Sequence, residues 1–160
     1  MFWFGAFVLR CSIEIAMLKI LSQVGLLIMA AALIGLYKVG SLLSWNPVAI
    51  ALQIVAVGLM GWARWTFKWR SFHASADPTA GGLVTTGPYR FIRHPIYTAA
   101  CLFGWAGVVV HWSTLSVVLG AALIVGSLIR MLCEERLVMQ RYPQYRDYAR
   151  STWRMIPYVF

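Results

Sequence analysis

Apolar residues in this chain come in long blocks rather than in alternation with polar ones. Four blocks stand out: residues 20–37, about 45–62, 96–110 running into His111-Trp112, and 115–132. Each is close to the roughly 20 residues a helix needs to cross the hydrocarbon core of a bilayer. The first 19 residues fit differently. Residues 2–9 are too few to span, and Arg10, Glu14 and Lys19 break up the stretch between them and the first block, so an interfacial lead-in to the first span is predicted. No positive flank precedes a short apolar core with a small-residue cleavage site, so a cleavable signal peptide is not expected. The fold class expected is all-α: a multi-pass transmembrane helical bundle of four spans (20–37, 45–62, 96–112 and 115–132). An N-terminal interfacial segment and a C-terminal cytoplasmic helical tail complete one integral-membrane domain over residues 1–160.

Composition agrees with this pattern. At 61% apolar and 12% charged, with mean hydropathy +0.72, the 160 residues exclude a water-soluble globular domain, a disordered chain and a disulfide-built module. Four or five spans leave no room for a separate soluble catalytic domain. The net charge of +9 is spread between the blocks, which fits topology and anionic headgroups better than nucleic acid. With the amino terminus inside, Arg10, Lys19, Arg64, Lys68, Arg70, Arg90, Arg93 and six arginines from Arg130 to Arg154 fall on the cytoplasmic side; Lys38 stands alone outside. Trp45, Trp62, Trp65, Trp112 and Trp153 lie near span ends, as an aromatic belt would. Cys11, Cys101 and Cys133 have no C-x-x-C spacing and read as small buried apolar side chains. Ala122 and Gly126 form a small-xxx-small pair that admits a neighbouring helix. Spans three and four, joined by 111–114 alone, are predicted to form a tight antiparallel hairpin.

The loop 66–95 and the tail 130–160 flank that hairpin on the same side, so chemistry is expected between them. In the loop, glycines at 81, 82 and 87 let backbone approach a ligand closely. Pro95 suits the first turn of span three, which puts His94 at the helix start beside unpaired backbone donors, where a carboxylate or phosphate is favoured. In the tail, Arg130 and Glu134 share a helix face, and Glu135 is rotated from Glu134 by about 100°. A plain Arg130–Glu134 salt bridge accounts for that pair equally well. Tyr142, Tyr145 and Tyr148 among arginines read as an amphipathic interfacial helix. A shared metal or haem fails on geometry, because His94 and His111 sit at opposite ends of one span, some 25 Å apart. No H-E-x-x-H, G-x-S-x-G, P-loop or G-x-G-x-x-G pattern occurs.

Leu83-Val84-Thr85-Thr86-Gly87-Pro88-Tyr89, then Arg93-His94-Pro95-x-Tyr97, then Glu134-Glu135-x-Leu137, and Tyr145-x-x-Tyr148 before Pro157 form an ordered set. It resembles the isoprenylcysteine carboxyl methyltransferase and phospholipid methyltransferase family over residues 81–157. That resemblance implies an integral-membrane enzyme using S-adenosylmethionine without a Rossmann domain. It implies a cofactor site at Gly81, Gly82, Leu83, Val84, Tyr89, Arg93, His94, Pro95, Ile96 and Tyr97, with Glu134 as acidic cofactor ligand and Arg130 on the substrate side. Glu135 or His94 would take a proton from an amine acceptor, whereas a carboxylate acceptor needs no base. No metal ligand is implied. Two positions depart from the pattern: Ala99 where the family often has glycine, and Gly81 where eukaryotic carboxyl methyltransferases have histidine.

The expected activity is methyl transfer to a lipophilic membrane acceptor, an isoprenylcysteine-like carboxylate first, with a phospholipid amine or a small thiol as alternative. The partners expected are that acceptor and membrane lipids, not nucleic acid. A small transporter would carry an ionisable group on its pathway, yet the central turns of all four blocks lack Asp and Glu. A haem-carrying scaffold would need a second ligand from another chain.

Overall fold

The computed structural model describes residues 2–67 and 83–160, with side chains from Ser12 onward in the first helix. These residues form five helices in order: α1 (Phe2–Lys38), α2 (Pro47–Phe67), α3 (Pro95–Val110), α4 (Thr114–Arg141) and α5 (Tyr145–Ser151). A 3-10 turn, Gly87–Arg90, precedes α3. The described residues contain no β-strand, only one isolated bridge between Ile92 and Trp153. Three stretches are long and apolar enough to cross a membrane: Ser12–Lys38, Pro47–Phe67 and Thr114–Arg141. The fourth, Pro95–Val110, is apolar but only 16 residues long.

Two expectations need correcting. The interfacial segment is not a separate element, because α1 runs unbroken from Phe2 to Lys38. Arg10, Glu14 and Lys19 interrupt hydropathy but not the backbone ladder, and no proline falls in this stretch to break it. Likewise α4 continues to Arg141, so Glu134 and Glu135 ride on the extension of a spanning helix instead of opening a tail. Its 28 residues extend about 42 Å, well beyond a hydrocarbon core of about 30 Å.

In α1 the buried positions are Leu18, Ser22, Gly25, Met29, Ala32 and Leu36, the alternating three- and four-residue spacing of a coiled-coil seam. That seam lies along α4, where Leu123 is fully buried against Met29 and Ala32. The two backbones approach closely at Gly25 and Gly126: a Cβ on either would stand 2.8 Å from the other's carbonyl oxygen. The small residue at 126 therefore admits α1, as its spacing suggested. α3 packs mainly on α2 and joins α4 at Gly104, where a Cβ would meet Leu123. The helices thus stand in the order α1–α4–α3–α2, with the consecutive α1 and α2 on the two flanks. The α3–α4 link is the expected tight hairpin, capped by reciprocal Ser113 and Ser116 hydrogen bonds of 3.1 and 2.9 Å. On α2, Asn46 Oδ1 accepts from the Val48 N–H at 3.0 Å. Gln53 donates to the Leu42 carbonyl at 2.7 Å, tying the first interhelical loop down.

Candidate functional site

The segment entering α3 is held from two directions. Gly87 has φ +59°, and a Cβ there would collide with the Thr66 hydroxyl at the end of α2, so the turn needs glycine twice over. Tyr89 comes next, its ring 5.3 Å from that of Phe67, and its carbonyl accepts from the Tyr148 hydroxyl at 2.6 Å. Residues 91–94 then pair with 153–154. Trp153 N–H donates to the Phe91 carbonyl at 3.0 Å, Arg93 N–H to Trp153 at 2.7 Å and His94 N–H to Arg154 at 3.0 Å. His94 is the N-cap of α3 with Pro95 in the first turn, and no side chain caps the helix. The helix start and its open backbone donors sit where the sequence suggested.

Glu135 is the knot of this assembly. It is buried, and its Oε1 accepts from Arg93 Nε at 2.8 Å and lies 3.2 Å from His94 Nε2. Its Oε2 accepts from Arg154 Nε at 3.1 Å. Arg93 spends its remaining hydrogen bonds on the carbonyl of Ala149 at 2.7 Å and the carbonyl of Thr152. A general base needs an oxygen open to the proton it removes. Glu135 has both oxygens taken by cations or His94, so its geometry is that of a structural anchor, not of the base expected from sequence. Arg93, expected at the cofactor, is likewise turned inward to hold α4 and the tail together.

Glu134, one residue away and rotated toward α3, is placed differently. Tyr97 donates its hydroxyl to Glu134 Oε1 at 2.7 Å. Arg130 Nε lies 2.7 Å from the Tyr97 hydroxyl and 3.1 Å from the same Glu134 oxygen. Arg130 Nη1 reaches the Ser22 carbonyl on α1 at 3.4 Å. Arg130 is buried, whereas the Glu134 side chain is 24% exposed, and its Oε2 has no hydrogen-bond partner among the described residues. The His94 ring stacks on Tyr97 with centroids 5.7 Å apart. The result is a carboxylate with one oxygen fixed and the other without a hydrogen bond among the described residues.

The structure therefore brings Arg130, Glu134, Tyr97 and His94 together, with Pro95 buried and Ile96 half-buried behind them. Leu83 and Val84 are half-buried ahead of the 3-10 turn. Tyr89 stands to one side against α2. Burial pushes its phenol well above the ordinary range, and the neighbouring Tyr148 and Glu134 add to the rise. Gly81 and Gly82 lie outside the described residues. Ser22 and Arg154 went unrecognised in the sequence. Ser22 carried one signal, a polar residue three before Gly25 in an apolar block; Arg154 lay among many arginines and carried none. A separate apolar cavity of about 550 Å³ between α2 and α3, lined by Val48, Leu52, Leu102 and Trp105 among others, contains none of these residues.

Residues 46–145 match the model of the phospholipid methyltransferase family, from the N-cap of α2 to the start of α5. The chain belongs to the phospholipid methyltransferase family. It is 32% identical over 120 residues to the nickel-cobalt-cadmium resistance protein NccN of Alcaligenes xylosoxydans xylosoxydans, covering 71% of this chain and 54% of that protein. It is also 29% identical over 119 residues to the cobalt-zinc-cadmium resistance protein CzcN of Cupriavidus metallidurans, covering 71% of this chain and 53% of that one. The chain thus spans about half the length of these curated relatives. No solved structure matches. In this methyltransferase family member the matched region holds His94, Tyr97, Arg130, Glu134 and Glu135. It leaves out α1, with Ser22, and residues 146–160, with Arg154.

Proposed function

We propose that this chain transfers a methyl group from S-adenosylmethionine to a lipophilic acceptor that reaches the site laterally from the bilayer. The observation that carries this is Glu134, fixed by Tyr97 and Arg130 through one oxygen and open at the other. Its open oxygen suits the ammonium of the cofactor's amino-acid end. The uncapped start of α3 at His94, Pro95 and Ile96 suits the carboxylate of that end. Tyr97 and His94, stacked, offer aromatic faces for a sulfonium or an adenine, with Tyr89, Leu83 and Val84 as further apolar walls. When bound, S-adenosylmethionine supplies an electrophilic methyl group. The chain's own part is positioning and exclusion of water.

Arg130, buried where α1, α3 and α4 meet, is the group for the acceptor's polar head. It suits a carboxylate such as that of an isoprenylcysteine-like lipid. For a phospholipid amine or a small thiol, His94 is left as proton acceptor, since Glu135 is spent. The distribution of Lys and Arg supports a cytoplasmic side for this end. The test is calorimetric titration of the chain in nanodiscs with S-adenosylmethionine and S-adenosylhomocysteine. Saturable binding that Glu134→Ala removes is expected, followed by turnover on isoprenoid acids or aminolipids that Arg130→Ala abolishes. A folded sample that binds neither compound would return the chain to a transporter or scaffold role.

A further inference from the structure

Residues 155–160 form a largely exposed apolar surface beside the knot, touching it where the Arg154 guanidinium lies 5.2 Å from the Phe160 ring centre; the proposed site uses none of them. α3, at 16 residues, extends about 24 Å, short of the roughly 30 Å of a hydrocarbon core. It stands between α2 and α4, both long enough to cross, so its first turns lie at or within the apolar slab those helices define. Beyond Arg154 the chain stays against the start of α3: Thr98, one turn into the helix, donates its hydroxyl to the Met155 carbonyl at 2.9 Å.

There the chain doubles back. Met155 and Ile156 N–H both donate to the Phe160 carbonyl, at 2.8 and 3.0 Å, and Tyr158 turns with φ +66°. None of the side chains of residues 155–160 is charged. Met155 is buried, but Ile156, Tyr158 and Val159 point outward, 53%, 87% and 74% exposed. Trp153, its ring 5.6 Å from that of Tyr158, and Phe91 extend the same exposed surface. Exposed Arg146 and Arg150 precede it in the chain, Arg150 paired with the equally exposed Asp147 at 3.7 Å. An apolar turn that follows an exposed, net basic segment suits the boundary between acyl chains and headgroups. In water it would be an aggregation liability.

We propose that residues 155–160 form a membrane-inserted turn whose partner is the bilayer that the helices cross. Ile156, Tyr158 and Val159 enter the edge of the acyl-chain region beside α3. The turn supplies apolar surface where α3 is too short, and seats the Arg93–Glu135–Arg154 knot at the membrane boundary. Because it concerns lipid contact alone, it stands apart from the methyl-transfer proposal.

The test uses the full chain in nanodiscs of phosphatidylcholine and phosphatidylglycerol containing a small share of phosphatidylcholine with a diazirine on its acyl chain. Trypsin cleaves after Arg154 and releases residues 155–160 as one peptide, so lipid adducts after irradiation are read on it directly by mass spectrometry. Hydroxyl-radical footprinting on a parallel sample reads access from water. The expected result is an adduct yield within about threefold of that on the lipid-facing α2, together with oxidation severalfold below that of residues 145–150. Absence of adducts on 155–160 while α2 is labelled overturns the proposal. Strong oxidation would then mean that the turn stands in water, and weak oxidation that protein covers it.

Discussion

Two adjacent glutamates divide the work of this region, and the division is visible in what each oxygen touches. Glu135 is buried among Arg93, His94 and Arg154. Removing one member of a buried ionic cluster strands the others and costs about 3–5 kcal/mol. Glu135→Ala is therefore expected to lower the unfolding midpoint sharply and to take S-adenosylhomocysteine binding down with it. Glu134→Gln keeps an acceptor for Tyr97 and Arg130 but leaves the buried Arg130 without its counter-charge, so a loss of stability smaller than that of Glu135→Ala is expected. Loss of the charge-assisted contact, about 1.5–3 kcal/mol, should weaken S-adenosylhomocysteine binding about tenfold or more. Thermal unfolding and calorimetry on the two variants separate these outcomes. Tyr148 offers a pH-dependent counterpart. Its hydroxyl donates to the Tyr89 carbonyl, and burial, ahead of any neighbour, pushes its phenol up to about 12 from the ordinary 10.0. A raised value favours the protonated form in the fold. The stabilisation is thus fully present below pH 10 and is lost as pH rises toward 12. Tyr148→Phe is expected to cost about 1 kcal/mol at pH 8 and to reduce the alkaline fall in stability that denaturant titration at pH 8 and 11 would record for the parent.

At the level of helices, the crossing of α1 and α4 sets the position of Arg130. A Cβ at Gly126 would stand 2.8 Å from the Gly25 carbonyl and 2.9 Å from the Met29 Cγ. Gly126→Leu must push α1 away and draw the Ser22 carbonyl off Arg130. Overpacking of this kind costs about 1–3 kcal/mol, and a several-fold loss of S-adenosylhomocysteine affinity should accompany it. Gly61, on the open side of α2 with nothing within 4 Å, is the control: Gly61→Leu is expected to leave affinity unchanged and not to lower stability. Much at this scale was legible beforehand. The four apolar blocks became helices, Gly126 admitted a neighbour, and Pro95 marked the start of α3. The unbroken α1 and the long α4 were not legible, because charged residues end an apolar run without ending a helix. The turn of about 100° between Glu134 and Glu135 could be read from spacing. Which of them would be smothered could not, since that depends on Arg154, nineteen residues on, and on a backbone pairing between 91–94 and 153–154 that no periodicity announces.

For the molecule as a whole, the order α1–α4–α3–α2 means that α1 is held chiefly by α4, about a hundred residues downstream, and not by its neighbour in sequence. If helix packing rather than the connection holds α1, the chain should tolerate a break. Two pieces divided between the exposed Leu43 and Ser44, expressed together, are expected to copurify and to bind S-adenosylhomocysteine within severalfold of the intact chain. Pieces that do not associate would mean that the 39–46 loop, not the seam, secures α1.

The same order sets a timetable for synthesis. α1 is made before α2, α3 and α4 and meets its main partner only when the last of these has been made. Until then its seam of Leu18, Ser22, Gly25 and Met29 faces lipid alone. Arg130 and Glu134 arrive on the element that completes the bundle, and Arg154, which locks Glu135, emerges later still. The cluster of His94, Tyr97, Arg130, Glu134 and Glu135 is thus among the last features the growing chain can form, and a ribosome that stalls before α4 leaves the earlier helices without it.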